Sequence, residues 1–408
     1  RVMSKSGTFV VSFFVFCVAL LAGPIEAQWR GSQRDGIYPG ENLLDVWPEA
    51  GPERLWFAEG LGEGFSSAAV TADRVFVTGM TDGTGYLFAF DLKGKQVWKS
   101  SYGPEMSTDY PGARTTPVVV GDRIYLMSAL GNVFCFDTNG KKFWSVDIVK
   151  QFQGKKPNWG LTESLLVDGG MVFCTPGGPT VAVAALNRHN GNTIWESKGN
   201  GESSAYCSPL LVNHNNRRLV VTMTSKSVIG IDAETGEFLW RHGHVTDYDV
   251  NPNTPLYQDG HLFTFSGYGT GSQKLRLNEG GTGVEKVWAQ ETLDSQIGSA
   301  VLIDGFLYGS GHKNRGWHCV NWKTGQVKYT AKVLGSKGNI IYADGMAYCY
   351  SEKGDVGLVK LTPDAFEVIS SFKIDLGSSQ HWAHPVIRDG RLYVRHGDAL
   401  MVYDISAK

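Results

Sequence analysis

Helical periodicity is what this 408-residue chain lacks most. Beyond its first two dozen residues, no stretch sustains apolar residues at a 3.6-residue period, so bundles and helical arrays are excluded. Cysteine is scarce. The six present include no CxxC, no adjacent Cys-Cys and no CxxCH, so neither a redox dithiol nor an attached haem is encoded. An excess of one charge is missing too: 38 Lys and Arg stand against 40 Asp and Glu, for a pI of about 6.6. The cations are scattered, which leaves no footprint for nucleic acid or for an anionic membrane surface. Catalytic motifs are equally sparse. "GESSAYCSP" lacks the G-x-S-x-G order, and "GSGHKNRG" and "GYGTGSQ" have no following helix to seat a phosphate. The histidine pairs of "RHGH" and "HWAH" are two or three residues apart, and on an extended chain i and i+3 face opposite ways, which disfavours zinc.

What the chain does contain is one phrase, repeated. "DLKGKQVW" (91–98), "DTNGKKFW" (137–144), "NRHNGNTIW" (187–195), "DAETGEFLW" (232–240), "EGGTGVEKVW" (279–288) and "NWKTGQVKY" (321–329) share a turn followed by an aromatic. "GPERLW" (51–56) and the degenerate "TPDAFEVISSF" (362–372) complete the series. Trp56, Trp98, Trp144, Trp195, Trp240, Trp288, Tyr329 and Phe372 thus recur every 41 to 51 residues, the length of four short strands with their turns. "TTPVVVGDRIYLMSALGNVFCFDTNGKKFW" reads as strand and turn four times over, with Val, Ile, Phe and Tyr filling the strands. The fold expected is all-β: an eight-bladed β-propeller of four-stranded antiparallel meanders.

Closure follows from the two ends of the repeat region. The last meander stops at "LMVYDISAK" with three strands, whereas "PERLWFAEG" (52–60) supplies a fourth strand with no first three. Joining them completes blade eight and protects the edges of the array. Upstream, residues 28–51 belong to no repeat and read as an extended arm over blade edges, and 1–27 reads as a secretory signal peptide. The expected protein is therefore exported, periplasmic or extracellular, monomeric, and without a transmembrane span once the signal is removed. Four of the five remaining cysteines, Cys135, Cys174, Cys319 and Cys349, sit in strand-like runs as small buried hydrophobes; Cys207 does not.

The repeat, a strand followed by Gly-x-hydrophobic-x-x-hydrophobic-Asp and then Thr-Gly-x-x-x-Trp, resembles the PQQ-like repeat of eight-bladed quinoprotein-type propellers over residues 53–408. "WRGSQRDG" with "LLDVWPEAGPERLW" is similar to the start of exported PQQ-like repeat proteins. The resemblance implies that each Trp docks on a neighbouring blade. For the enzymes of this class it implies PQQ over a calcium, between a tryptophan floor and a Cys-Cys disulfide, with an aspartate base. This chain is shorter than those enzymes and has no Cys-Cys pair, so no cofactor is expected. A secreted quinoprotein-type alcohol dehydrogenase, with PQQ and a calcium held by scattered oxygens, is the alternative. The class also includes the non-enzymatic propeller of the barrel-assembly machinery, a lipoprotein. Here Cys17 lies in the middle of the apolar run, so no lipobox is evident. What transfers is the general role, a non-catalytic scaffold that binds a protein, peptide or glycan.

The repeat also places a candidate site. Aligning the blades on the Pro of "TTPVVV" gives one column of Phe65, Arg114, Thr162, Tyr206, Pro252, Ile297, Lys337 and Trp382. The next column is Ser66, Thr115, Glu163, Cys207, Asn253, Gly298, Gly338 and Ala383. Arg114, Glu163, Tyr206, Asn253, Lys337 and Trp382, with His381 and His384 beside it, are expected on one rim of the channel. Aromatics and cations at a concave mouth suit an anionic or sugar-like ligand. The competing expectation is that these side chains only plug and solvate the channel.

Overall fold

The repeated turn is built by its own side chains. In "DTNGKKFW" the Asp137 carboxylate accepts the backbone N–H groups of Asn139 and Lys141 at 2.9 and 2.8 Å, and Gly140 takes a φ of +87°. The strands on either side pair as a hairpin, and the computed structural model, which describes residues 24–407, repeats this unit around a ring. Blade two runs Val118–Val120, Arg123–Met127, Asn132–Asp137 and Lys142–Asp147, each strand antiparallel to the one before. Eight such sheets form the eight-bladed propeller. Among the described residues, α-helix is limited to Ile148–Gln151, and no helix is long and apolar enough to cross a membrane.

Alternation within each strand divides the core between neighbours. On blade two, Ile124, Leu126, Phe134 and Phe136 pack toward Phe76 and Leu87 of blade one, whereas Tyr125, Val133 and Cys135 pack toward Val172 and Leu186 of blade three. The repeated aromatics fasten the same interfaces from outside. Trp98 Nε1 donates to Thr138 O at 3.0 Å, and its ring lies 2.9 Å from where a Cβ on Gly140 would stand. Trp56, Trp144, Trp195, Trp240 and Trp288 donate in the same way to Leu92, Arg188, Ala233, Gly281 and Trp322 carbonyls of the next blade. Burying most of a tryptophan contributes a few kcal/mol, about 2–3 by area.

Blade eight joins both ends of the repeat region. Arg54–Ala58 pairs antiparallel with Ala399–Asp404, completing Val386–Arg388 and Arg391–His396. Phe372 of blade seven is seated on Gly51, with 2.7 Å to the missing Cβ, so the arm supplies the turn glycine that the Trp56, Trp98, Trp144, Trp195 and Trp288 seams take from the next repeat. Of the segment read as a signal peptide, Ile25–Ala27 forms a fifth strand on the inner edge of blade two, and residues 1–23 lie outside the described residues.

The arm divides into two parts. From Ile37 to Trp47 it lies against blades seven and eight: Ile37 bridges Tyr342, Leu43 bridges Ser406, and Trp47 packs on Phe372. Upstream it does something the sequence did not suggest. Arg34 donates to the carbonyls of Ser164 and Pro209 at 2.9 and 3.0 Å, and to that of Leu165, on blades three and four. Arg30 donates to Ala300 O and Ile340 O at 2.9 and 3.1 Å, on blades six and seven. Five residues of chain reach both halves of the ring only from its axis, so the arm stops the channel. Bare arginine can do this because inner-strand carbonyls, unpaired toward the axis, satisfy a forked donor.

Candidate binding cup at the channel mouth

Above the plug the channel opens as a cavity of about 350 Å³. All eight residues of the first rim column line it: Phe65, Arg114, Thr162, Tyr206, Pro252, Ile297, Lys337 and Trp382. They converge because each stands at the same step before the innermost strand of its blade. Of the candidate residues, Arg114, Tyr206, Lys337, Trp382 and His384 are therefore brought together.

Glu163, Asn253 and His381 are not among the lining residues. The segment leading into each blade is extended, so the residue after a rim residue points away from the channel. Glu163 is fully buried and accepts the Thr175 N–H at 3.0 Å, and burial pushes its carboxyl up to about 8 against the opposing pull of Thr175 and Arg34. Asn253 donates to Phe265 O and Ser295 O at 3.1 and 2.8 Å. His381 turns onto His396, ring centroids 3.6 Å apart, with its Nδ1 at 2.5 Å from Tyr350 Oη.

One residue further on, the chain points inward again, and here lies a column that sequence reading missed: Ser67, Thr116, Ser164, Ser208, Thr254, Ser299, Asn339 and His384. All eight are polar. They stitch blade to blade: Ser67 N donates to Thr116 Oγ1 at 2.9 Å, Ser164 Oγ to Thr116 O at 2.7 Å, Ser164 N to Ser208 Oγ at 2.9 Å and Thr254 Oγ1 to Ser208 O at 2.7 Å. Thr116, Ser164, Ser208 and His384 also line the lower wall of the cup. The signal was available, since the third column is uniformly polar where the second is not.

The floor is Trp29, its ring edge-on to His384 at 5.1 Å. His384 Nε2 donates to Ile297 O at 3.1 Å, so its Nδ1, 3.1 Å from Arg30 Nη1, is an acceptor and the ring is neutral. Burial and then the adjacent guanidinium hold its pKa well below the usual histidine range. At the rim, Glu352 Oε1 accepts from Lys337 Nζ at 2.8 Å and from Trp382 Nε1 at 3.1 Å, which fixes the indole; Gln296 also binds Lys337, at 2.7 Å. Burial lowers the Lys337 pKa, with Glu352 opposing. Arg114 has no such carboxylate: it donates to the carbonyls of Asp109 and Tyr110 and lies 5.9 Å from the Phe65 ring centroid.

A calcium in the cup would find one lining carboxylate, Glu352, already held by Lys337 and Trp382, and a PQQ would find Trp29 below it but no disulfide. No group of three or more His, Cys, Asp or Glu suited to a metal occurs among the described residues. This donor set does not fit a PQQ–calcium pair.

Comparison with known proteins places this geometry. The profile of the family described as "Outer membrane protein assembly factor BamB" matches residues 83–331 and 214–368. The BamB of Salmonella typhimurium is 30% identical over 112 residues, 26% of this chain and 27% of that protein. An uncharacterized protein of Rickettsia conorii is 23% identical over 269 residues, 53% of this chain and 62% of that one. The chain thus spans less than two thirds of these curated relatives. Among solved structures, BamB from Moraxella catarrhalis superposes with a TM-score of 0.62 at 15% identity, over 86% of this chain and 99% of that one. A quinohemoprotein alcohol dehydrogenase from Pseudomonas putida HK5 gives 0.67 at 13% identity, over 95% and 81%. At such identities the likeness is one of fold alone.

Proposed function

The chain belongs to the family described as outer membrane protein assembly factor BamB, and from that premise we propose an exported, monomeric, non-catalytic scaffold that holds a protein, peptide or glycan in its cup. The observation that carries this reading is the lining itself: eight repeat-fixed residues, three of them aromatic and two cationic, around a concave mouth whose floor is sealed by the arm. Rigidity supports it too. The cup is carried on blades tied by the polar third column, so a ligand meets a preformed surface. A photo-crosslinker placed at Tyr110, on the mouth, is expected to capture a partner from an envelope extract, and one placed at Phe143, on the outer edge, is not. Equal capture at both positions, or capture only at Phe143, argues against the cup.

The second reading is a quinoprotein-type dehydrogenase, favoured by the fold it shares with the Pseudomonas enzyme. The donor set of the cup speaks against it. Dye-linked oxidation of a primary alcohol that needs added PQQ and calcium, and is lost on chelation, would establish it in place of the scaffold.

A further inference from the structure

The cup's aromatic walls are set at a cost. Tyr110, Tyr248 and Tyr268 all take left-handed backbone conformations, with φ of 62°, 61° and 61°, which bulky L-residues rarely adopt. Each thereby joins a ring cluster. Tyr110 and Phe65 each lie 5.1 Å from Trp382, on blades eight and one and the loop after them. Tyr248, on the loop above and outside the lining, lies 6.4 Å from Trp159 and 5.4 Å from Tyr268, on the blades opposite. Tyr110 and Tyr248 remain 45% and 68% exposed, so the strain presents ring surface to solvent and does not bury it. Strain kept at exposed rings points to a ligand that uses them.

Among the lining residues the cations Arg114 and Lys337 stand against one carboxylate, Glu352, and the buried carboxylates Glu163, Asp294 and Glu105, the last acting on Arg114, lie outside the lining. Arg30, Arg34 and Arg395 are buried beneath or beside the cup and bond only to neutral acceptors, as does Arg114 at its wall. Lys337 is neutralised by Glu352. Asp247 and Asp249 stand on the loop above, outside the lining. A concave site with low-dielectric walls focuses such a field on its contents.

We infer that the cup binds an acidic saccharide, with a sugar ring between the aromatic walls and its carboxylate at Arg114. This rests on the cup being a binding site, the reading proposed for the chain as a whole. A sugar fits because its C–H face packs on aromatic rings while its hydroxyls need partners of the kind in the lower wall: Thr116, Ser164, Ser208 and the Tyr206 hydroxyl. An extended peptide fits less well. The carbonyls it would use, those of Ala300 and Ile340 in the innermost strands and of Ser164 and Pro209 just before them, are taken by Arg30 and Arg34.

The test is a titration of the full chain, read by tryptophan fluorescence, with trigalacturonate, its neutral methyl ester and poly-L-glutamate. Trigalacturonate is expected to bind at least about tenfold more tightly than the ester. Arg114→Gln is expected to abolish that difference, and Trp382→Ala to weaken both sugars, with unchanged thermal melts for each variant. Equal binding of acid and ester, or a difference that survives Arg114→Gln, overturns the charged contact. Binding of polyglutamate in place of the sugars overturns the saccharide and leaves the cup as a binding site. No response to any of the three overturns the inference, and the crosslinking comparison then decides separately whether the cup binds anything.

Discussion

The backbone N–H of Asp404 donates to the carbonyl of Glu53 at 2.8 Å. Elsewhere the same bond joins neighbours in sequence, as from Asp91 to Lys95 and from Asp137 to Lys141, both at 2.9 Å. In blade eight it joins the two ends of the repeat region. A chain beginning at Leu61 would lose this turn, the fourth strand, the Gly51 seat of Phe372 and the channel plug. Its melting temperature is expected to fall by about 10 °C or more. Of the described residues, a chain beginning at Gln28 loses Pro24 and the Ile25–Ala27 strand, most of it exposed, and it is expected to melt within about 2 °C of the parent. Equal melting of the two truncations would refute closure by the N-terminal strand.

The seat beneath each aromatic can be weighed by comparing two glycines of similar backbone. Gly140 has φ +87° with the Trp98 ring 2.9 Å from a would-be Cβ; Gly305 has φ +82° with nothing within 4 Å. Alanine at either site is strained by roughly 1–2 kcal/mol. Only at Gly140 must the indole also move off its seat. Gly140→Ala is therefore expected to cost about 1 kcal/mol or more beyond Gly305→Ala in urea unfolding. Equal costs would mean that the ring rests there without packing.

These two features were legible in the sequence because a repeat fixes position by counting. The blade number, the missing strand after Asp404 and the convergence of Phe65 through Trp382 all follow from alignment alone. Direction was not legible. Whether Glu163 or Ser164 faces the channel depends on the two-residue phase of an extended segment, and counting does not set where that phase starts. The plug was hidden for another reason. Arg30 and Arg34 pair with backbone carbonyls, which every residue has, so no partner type stands out in the sequence to reveal them.

Asp294 holds one side of the cup by backbone bonds. Its buried carboxylate accepts N–H groups of His312 and Asn314 on Oδ1, at 2.9 and 3.3 Å, and of Gly269 and Lys313 on Oδ2, both at 2.9 Å. It thereby ties the loop carrying Tyr268 to the loop of blade six. Asp294→Asn turns one of the two acceptor oxygens into a donor that faces two N–H donors. The expected cost is on the order of 2–3 kcal/mol. Amide exchange should quicken first in residues 267–270 and 311–314. Protection unchanged there would mean that the loops hold without the carboxylate.

Glu163 gives the fold a pH dependence of unusual sign. Burial raises its folded pKa to about 8 from the ordinary glutamate value of 4.5, with Thr175 and Arg34 opposing. Between those values the folded protein holds a proton that the unfolded chain has released. The stability tied to that proton is complete below the unfolded pKa and is lost as pH rises toward the folded one. The buried histidines act oppositely but lower down. His244 and His381, each with a pKa lowered to about 4, lose their effect above the ordinary histidine value of 6.5. The window from pH 6.5 to 8 therefore isolates the carboxyl. One proton changes stability there by at most about 1.4 kcal/mol per pH unit. Glu163→Gln keeps an acceptor for the Thr175 N–H and removes the titration. Urea unfolding of the parent is expected to weaken across this window, and that of the variant to stay flat by comparison. If both chains lose stability in parallel, another group is responsible and Glu163 is ionised in its buried site.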